Sequence, residues 1–302
     1  MKTMITGSSG LVGSALIEYL FKKGHSIQCL KRNSGDNPDH FWATDMLPEN
    51  SDNVCQNIIH LAGENVAQRR WTSKRKRQIL LSRVEGTKAL VDYISTLKEK
   101  PKTFLCASAI GYYGSRGDEI LNENSPIGSG FLADVCRQWE NETHRLTTMG
   151  VRVVNLRFGM ILSPRGGVLQ KMIPPFQARL GGIIGNGKQH ISWISSRDLS
   201  QIIEFLINKD HIEGPVNIVS PIQTTNRELT KALGEALDRV TPFRIPGVIA
   251  KLFFGQMADE MLLSSTRVTP KVLLESGYKF SDQSLDAVLR HCIDSQKAQP
   301  AI

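Results

Sequence analysis

The chain has 302 residues, 40% of them hydrophobic, enough to bury one large core or two modest ones. No apolar stretch reaches the roughly 18 residues of a membrane-spanning helix, and Met1-Lys2-Thr3 leads directly into a strand pattern rather than a secretory leader, so a cytoplasmic protein is expected. The net charge of +8 comes largely from one segment, and five scattered cysteines, Cys29, Cys55, Cys106, Cys136 and Cys292, suit reduced core thiols rather than a disulfide framework; no Cys or His pair has metal-ligand spacing.

The first predicted strand, Lys2 to Thr6, runs into Gly7-Ser8-Ser9-Gly10-Leu11-Val12-Gly13 and then the amphipathic run Ser14 to Lys23. Strand, glycine turn and helix together make a place to hold a pyrophosphate. Gly7 permits the tight turn, Gly10 lets backbone approach phosphate with no Cβ between, and Gly13 allows close helix–strand packing. The helix start then offers free N–H groups and a partial positive charge. Gly7, Ser8, Ser9, Gly10, Leu11 and Val12 are the expected cradle.

The second strand, Ser26 to Lys31, ends Leu30-Lys31-Arg32-Asn33 with no acid before Asp36. An acid at this point would hold an NAD ribose hydroxyl, whereas a base accommodates the 2′-phosphate of NADP. NADP(H) is therefore the expected cofactor. Arg32 is the main discriminator because a guanidinium can grip a phosphate with two hydrogen bonds, and Lys31 helps.

Further strands are predicted at Asn57 to Leu61, Thr103 to Ser108 and Arg152 to Phe158, alternating with helical runs, which implies βαβ units and a parallel sheet. Between them, Arg69, Arg70, Lys74, Arg75, Lys76 and Arg77 surround Trp71. That cluster reads as a solvated face, with a contribution to binding an anionic cofactor or substrate as the alternative. Nucleic acid is not expected, because Trp71 is the one aromatic interleaved with it.

Beyond residue 160 the pattern turns glycine-rich, at Ser163 to Gly167 and Gly181 to Gly187, and this half is expected to build the substrate pocket. Val216 to Val219 returns to the main sheet, Thr225 to Arg239 makes a helix capped by Thr225 or Asn226, and the residues after Ile293 read as a frayed tail. Trp193, in an Ile-Ser-Trp-Ile strand, reads as core, with stacking on a ligand as the alternative; Arg165 is a second substrate-side candidate.

The expected architecture is α/β, a Rossmann-type doubly wound parallel sheet with a smaller C-terminal substrate-binding domain. Residues 1–162 with about 190–222 form the NADP-binding domain, 163–189 and 223–295 the substrate-binding domain, and 296–302 a flexible tail.

Several segments resemble the extended short-chain dehydrogenase/reductase superfamily. Asn57-Ile58-Ile59-His60-Leu61-Ala62-Gly63 is similar to its fourth strand and Ala-Gly turn, and Phe104 to Gly114 to its fifth strand ending in Tyr-Gly. Arg157-Phe158-Gly159 and Ile191 to Leu199 fall where its sixth-strand and substrate-domain motifs stand. Within it, Leu61-Ala62-Gly63-Glu64-Asn65, Arg70-Trp71, Gly111-Tyr112-Tyr113 and Trp139-Glu140 resemble the atypical epimerase family protein group. The resemblance implies that Leu61, Ala62, Gly63 and Glu64 line the cofactor site and that Arg83 contacts the cofactor.

The superfamily's catalytic set is another matter. It uses Tyr-x-x-x-Lys on one helix and a Ser or Thr on the fifth strand. Four residues before Tyr113 stands Ala109, not Ser108; anchoring the helix on Glu140 puts Leu132 and Cys136 at the Tyr and Lys positions; and no Tyr-x-x-x-Lys occurs in Gly128 to Thr148. Two readings follow. One is an NADP(H)-dependent oxidoreductase or epimerase that takes its proton from Tyr112, Tyr113, Ser108 or Cys136, with Glu64 and Asp134 as further candidates and Arg157 or Arg165 as the cation a tyrosine would need. The other is a non-catalytic NADP(H)-binding sensor or scaffold. The expected partners are a small-molecule substrate, sugar-nucleotide-like by kinship of fold, and a second copy of the chain in a homo-oligomer; no membrane partner is expected.

Overall fold

The computed structural model describes residues 2–30 and 55–298. Lys31 and Arg32, the expected 2′-phosphate contacts, lie outside the described residues. The first half runs β1 (Lys2–Thr6), α1 (Leu11–Lys22), β2 (Ser26–Leu30), β3 (Asn57–His60), α2 (Ser73–Thr96), β4 (Thr103–Ala109), β5 (Ile120–Leu121), α3 (Phe131–Thr147) and β6 (Arg152–Phe158). It continues through β7 (Met160–Ser163), β8 (Gly166–Gly167), α4 (Val168–Gln177), β9 (Gly182–Ile184), β10 (Trp193–Ser195), α5 (Ser196–Ile207) and β11 (Gly214–Ile218). The last part holds α6 (Asn226–Ala236), β12 (Phe243–Ile245), α7 (Gly247–Phe254), β13 (Arg267–Val268), α8 (Lys271–Glu275) and α9 (Leu285–Ala298).

Six of these strands form one parallel sheet in the order β11-β6-β4-β3-β1-β2. Its central strands are buried on both faces, which explains why their sequences show no alternation of apolar and polar positions. Successive side chains leave a strand on opposite sides. Ile5, Ile59, Leu105 and Val154 therefore pack with Leu16 and Leu20 of α1 and Ile202, Ile203 and Leu206 of α5. Their neighbours Met4, Ile58, Phe104 and Val153 pack with Leu90, Val91 and Ile94 of α2 and Trp139 and Leu146 of α3. The chain leaves β1 for β2 on one side and returns to β3 on the other, so the strand order reverses beside β1. In such a sheet the crevice at the strands' carboxyl ends is where ligands bind.

A third core, around Leu162, Leu169, Phe176, Trp193, Leu233 and Leu289, joins β7, α4, β10, α6 and α9. Small sheets accompany it: β10-β7-β8, β12 with β9, and β13 with β5. Thr225 caps α6, accepting from Glu228 N, while the Glu228 carboxylate accepts in return from Thr225 N.

Two local expectations are corrected, and the reading of Trp193 as a core residue is borne out. Residues up to Ala298 continue α9, whose Val288, Leu289, Cys292 and Ile293 dock it into the third core, so helix replaces fraying at 294–298. The glycine-rich 181–187 segment is partly strand, because β9 pairs in parallel with β12. Trp193 is fully buried with Nε1 donating to Thr224 Oγ1 at 2.9 Å, which leaves no face for a ligand.

Candidate active site

The glycine turn sits at the carboxyl end of β1, beside the strand-order reversal. Gly7 has φ +70, a conformation costly for any residue with a Cβ, and a Cβ there would lie 2.7 Å from the carbonyl carbon of Leu61. Gly13 packs the first turn of α1 onto the loop, where a Cβ would come within 2.2 Å of the Gly7 oxygen. Gly10 is different: a Cβ there would touch one atom, the Gly7 oxygen at 3.3 Å, and otherwise stand in open space. Thr72, Ser195 and Thr225 cap α2, α5 and α6 with their hydroxyls, whereas no side chain caps α1. An uncapped helix start facing open space at a switch point is a ready anion site.

The neighbouring wall is the turn after β3. Leu61 and Ala62 are half-buried and Gly63 is exposed, pressed against Arg83: a Cβ on Gly63 would lie 3.3 Å from the guanidinium carbon. Arg83 extends from α2 over the Trp139 ring, 5.0 Å from its centroid, and donates to Ile79 O at 3.2 Å. Burial pulls its guanidinium down to about 10, and no carboxylate lies within the 4.0 Å ion-pair distance of it among the described residues. A desolvated cation with no carboxylate at ion-pair distance among the described residues, beside an uncapped helix start, fits a polyanionic dinucleotide. Glu64 is engaged elsewhere, accepting from Arg75 at 3.0 Å.

Beneath this turn lies a buried polar chain that sequence reasoning missed. His60 Nδ1 meets Thr6 Oγ1 at 2.7 Å, its Nε2 meets Thr87 Oγ1 at 3.0 Å, and Thr87 also accepts from Trp139 Nε1 at 2.8 Å. Thr6 Oγ1 accepts from Leu61 N as well, at 3.2 Å. The chain fastens β1, β3, α2 and α3 together under the cofactor-side loop. Burial pushes His60 down to about 4, so the ring is neutral at physiological pH. Its signal was a His between Ile59 and Leu61, at the end of a strand with no room for an unpaired charge.

The candidate acid–base groups lie along the next edge, and most are committed to partners in the chain. Ser108 is buried and its hydroxyl donates to Glu140 Oε1 at 2.6 Å. Glu140 in turn accepts from Arg157 Nε at 2.9 Å and Nη2 at 2.8 Å, a two-pronged buried ion pair. The same guanidinium donates to the Tyr113 hydroxyl at 2.9 Å, which donates onward to Asn217 Oδ1 at 2.8 Å. Burial pushes the Tyr113 phenol up to about 12 even though Arg157 opposes the shift. For Arg157, burial favours loss of the proton, but Glu140 more than offsets this and the guanidinium is held above its ordinary range.

Tyr112 stands differently. Its ring is half-buried and lies against the Arg157 guanidinium, 3.5 Å from the ring centroid. Cys136, on α3, is buried, and its thiol donates to Ala109 O at 3.6 Å. Burial, then Glu140, push that thiol up to about 11, far from a reactive thiolate. Leu132 lies against Gly111, so the two residues aligned with the superfamily dyad do face the end of β4. Glu260, from the C-terminal part, caps the start of α3 by accepting from Phe131 N at 3.0 Å and Leu132 N at 2.8 Å. Asp134 is exposed and paired with Arg137, and Arg165 is tied to Glu18 at the surface, so neither reaches this cluster.

Among the described residues no group of three or more His, Cys, Asp or Glu could hold a metal ion, and no helix is long and apolar enough to cross a membrane.

Residues 3–219 match the NAD dependent epimerase/dehydratase family, and residues 245–292 match a domain of unknown function, DUF1731. An epimerase family protein of Mycobacterium bovis is 36% identical, over 94% of this chain and 95% of its own. The crystal structure of human epimerase family protein SDR39U1 with NADPH superposes with a TM-score of 0.89 at 31% identity, covering 97% of this chain and 99% of that one. A nucleoside-diphosphate sugar epimerase from Corynebacterium glutamicum is 33% identical with a TM-score of 0.76, over 96% of this chain but 57% of its own. With a six-stranded Rossmann-type sheet and a sequence match over most of its length, the chain belongs to the NAD dependent epimerase/dehydratase family.

Proposed function

We propose that this protein binds NADP(H) in the glycine cradle and acts in the cytoplasm as an atypical oxidoreductase or epimerase on a small, sugar-nucleotide-like molecule. The observation that carries the cofactor is the uncapped start of α1 beside Gly10, together with a desolvated Arg83 that has no ion-pair partner among the described residues. The backbone of Gly7 to Val12 would hold the pyrophosphate, Leu61, Ala62, Gly63 and Glu64 would border the adjoining part of the dinucleotide, and Lys31 and Arg32 would meet the 2′-phosphate. Its human relative was crystallised with NADPH, which supports the choice. When bound, the nicotinamide supplies or accepts a hydride.

The proton is assigned to Tyr112. Ser108, Tyr113 and Cys136 each spend their polar hydrogen on a partner in the chain, while Tyr112 keeps a half-buried ring against a permanent cation. Its phenol would give its proton to the substrate oxygen and recover one from water. The same commitments favour the second reading, a non-catalytic NADP(H)-binding sensor or scaffold.

NADPH oxidation across a panel of carbonyl compounds and sugar nucleotides separates the two. The enzymatic reading expects turnover that Tyr112→Phe reduces about 100-fold or more and that Ser108→Ala and Cys136→Ala leave nearly unchanged. Activity lost in Cys136→Ala but kept in Tyr112→Phe contradicts the assignment, and tight NADPH binding with no turnover of any compound supports the sensor.

A further inference from the structure

The helix α7 reads Gly-Val-Ile-Ala-Lys-Leu-Phe-Phe, apolar on every side except at Lys251. Such a helix belongs in a core or against an apolar solvent. Here Ala250 is its one buried residue, and Val248, Leu252 and Phe253 are 78%, 71% and 67% exposed. Phe243 and Val240, just before it, are exposed as well. A patch of this kind on a water-facing surface marks an interaction site.

What stands beside the patch identifies its partner. At the carboxyl end of α7, a Cβ on Gly255 would lie 3.1 Å from Arg70 Nε, so the helix adjoins the basic segment at the start of α2. Lys76 donates to Gln256 at 3.1 Å across the same junction. Arg75 turns inward to Glu64, but Arg69, Arg70, Lys74 and Arg77 are exposed, and among the described residues none has a carboxylate within the 4.0 Å of an ion pair. An apolar ridge next to four uncompensated cations matches one surface in both respects: acyl chains below, anionic headgroups above.

We propose that α7 and the 69–77 segment form a peripheral docking face for a bilayer rich in anionic phospholipid. A second copy of this chain fits less well, because a two-fold contact through the face would set its cations against their own images. Nucleic acid would satisfy the cations and leave the exposed phenylalanine and leucine side chains in water. Neither signal holds a protein at a membrane strongly alone; the two together do.

The test is co-sedimentation of the full chain with vesicles of phosphatidylcholine alone, or with about a quarter phosphatidylglycerol, in about 0.1 M NaCl. Wild type should pellet with the anionic vesicles and stay in solution with the neutral ones. Val248→Asp with Leu252→Asp should lower the partition at least tenfold, and Lys74→Glu with Arg77→Glu roughly 30-fold, about fivefold or more for each cation lost. All four side chains are exposed, so thermal melting should not change and misfolding is separable from lost binding. Equal partition onto both vesicle types, or variants that bind as wild type does, overturns the proposal. Absence of vesicle binding with self-association that Val248→Asp and Leu252→Asp abolish would overturn it too and assign the face to a second copy.

Discussion

Replacing Glu140 with Ala would leave the Arg157 guanidinium, 3% exposed, deprived of its carboxylate and of hydrogen bonds at 2.9 and 2.8 Å. The Ser108 hydroxyl would lose its 2.6 Å acceptor at the same time. Removing one partner of a buried ion pair costs about 3–5 kcal/mol, and two or three hydrogen bonds to a charged group at about 1.5–3 kcal/mol each give a similar sum. Against a total stability of about 5–15 kcal/mol the variant would be near its limit. A domain this large loses about 2–4 °C of Tm per kcal/mol, so melting should fall by about 6–20 °C. The decisive assay is a double-mutant cycle with Glu140→Leu and Arg157→Met, read by urea unfolding. The double variant buries no unpaired charge and should be less destabilised than the sum of the singles by at least about 2 kcal/mol. Additivity within about 0.5 kcal/mol would refute the view that these two residues form one buried unit.

Other consequences are equally specific. Gly13→Ala puts a Cβ 2.2 Å from the Gly7 oxygen and should cost at least about 1–3 kcal/mol in urea unfolding, whereas Gly10→Val, in extended backbone at φ −74, should melt close to wild type. His60 takes its proton at about 4 folded against 6.5 unfolded, so the unfolded chain holds more proton between these values and stability drops as pH falls through that window. The drop is about 3 kcal/mol, and the difference between wild type and His60→Asn in chemical unfolding from pH 7 to 4 should show it; parallel curves would mean His60 is not held neutral. In native thiol titration at pH 8, exposed Cys29 should react while buried Cys136, at about 11, stays intact; modification of Cys136 at a matching rate would contradict its environment.

Much of this arrangement is legible in the chain because its signals are local. Buried parallel strands lack an apolar–polar alternation, the glycine turn has its strand and helix on either side, and Thr225, one of the two expected caps, stands at the start of α6. The catalytic neighbourhood is less legible, since its meaning depends on pairs far apart in sequence. An Arg157 in a buried strand had to find a carboxylate, and Glu140 on the preceding helix supplies it; nothing local says that Ser108 would join them or that Tyr113 would turn inward to Asn217. The frayed-tail expectation failed for a related reason, because polar Asp294, Ser295 and Gln296 conceal that the preceding apolar positions anchor α9 in the third core.

A dinucleotide seated in the glycine cradle is tested most directly by titration of NADPH and NADH by fluorescence, at one fixed salt concentration. Wild type should bind NADPH at least about tenfold more tightly than NADH, since one charge-assisted phosphate contact contributes about 1.5–3 kcal/mol. Arg32→Ala should erase most of that preference, and Gly10→Val, folded as wild type, should bind neither. Equal affinity for the two cofactors would remove the NADP(H) assignment, and normal NADPH binding by folded Gly10→Val would contradict the cradle itself.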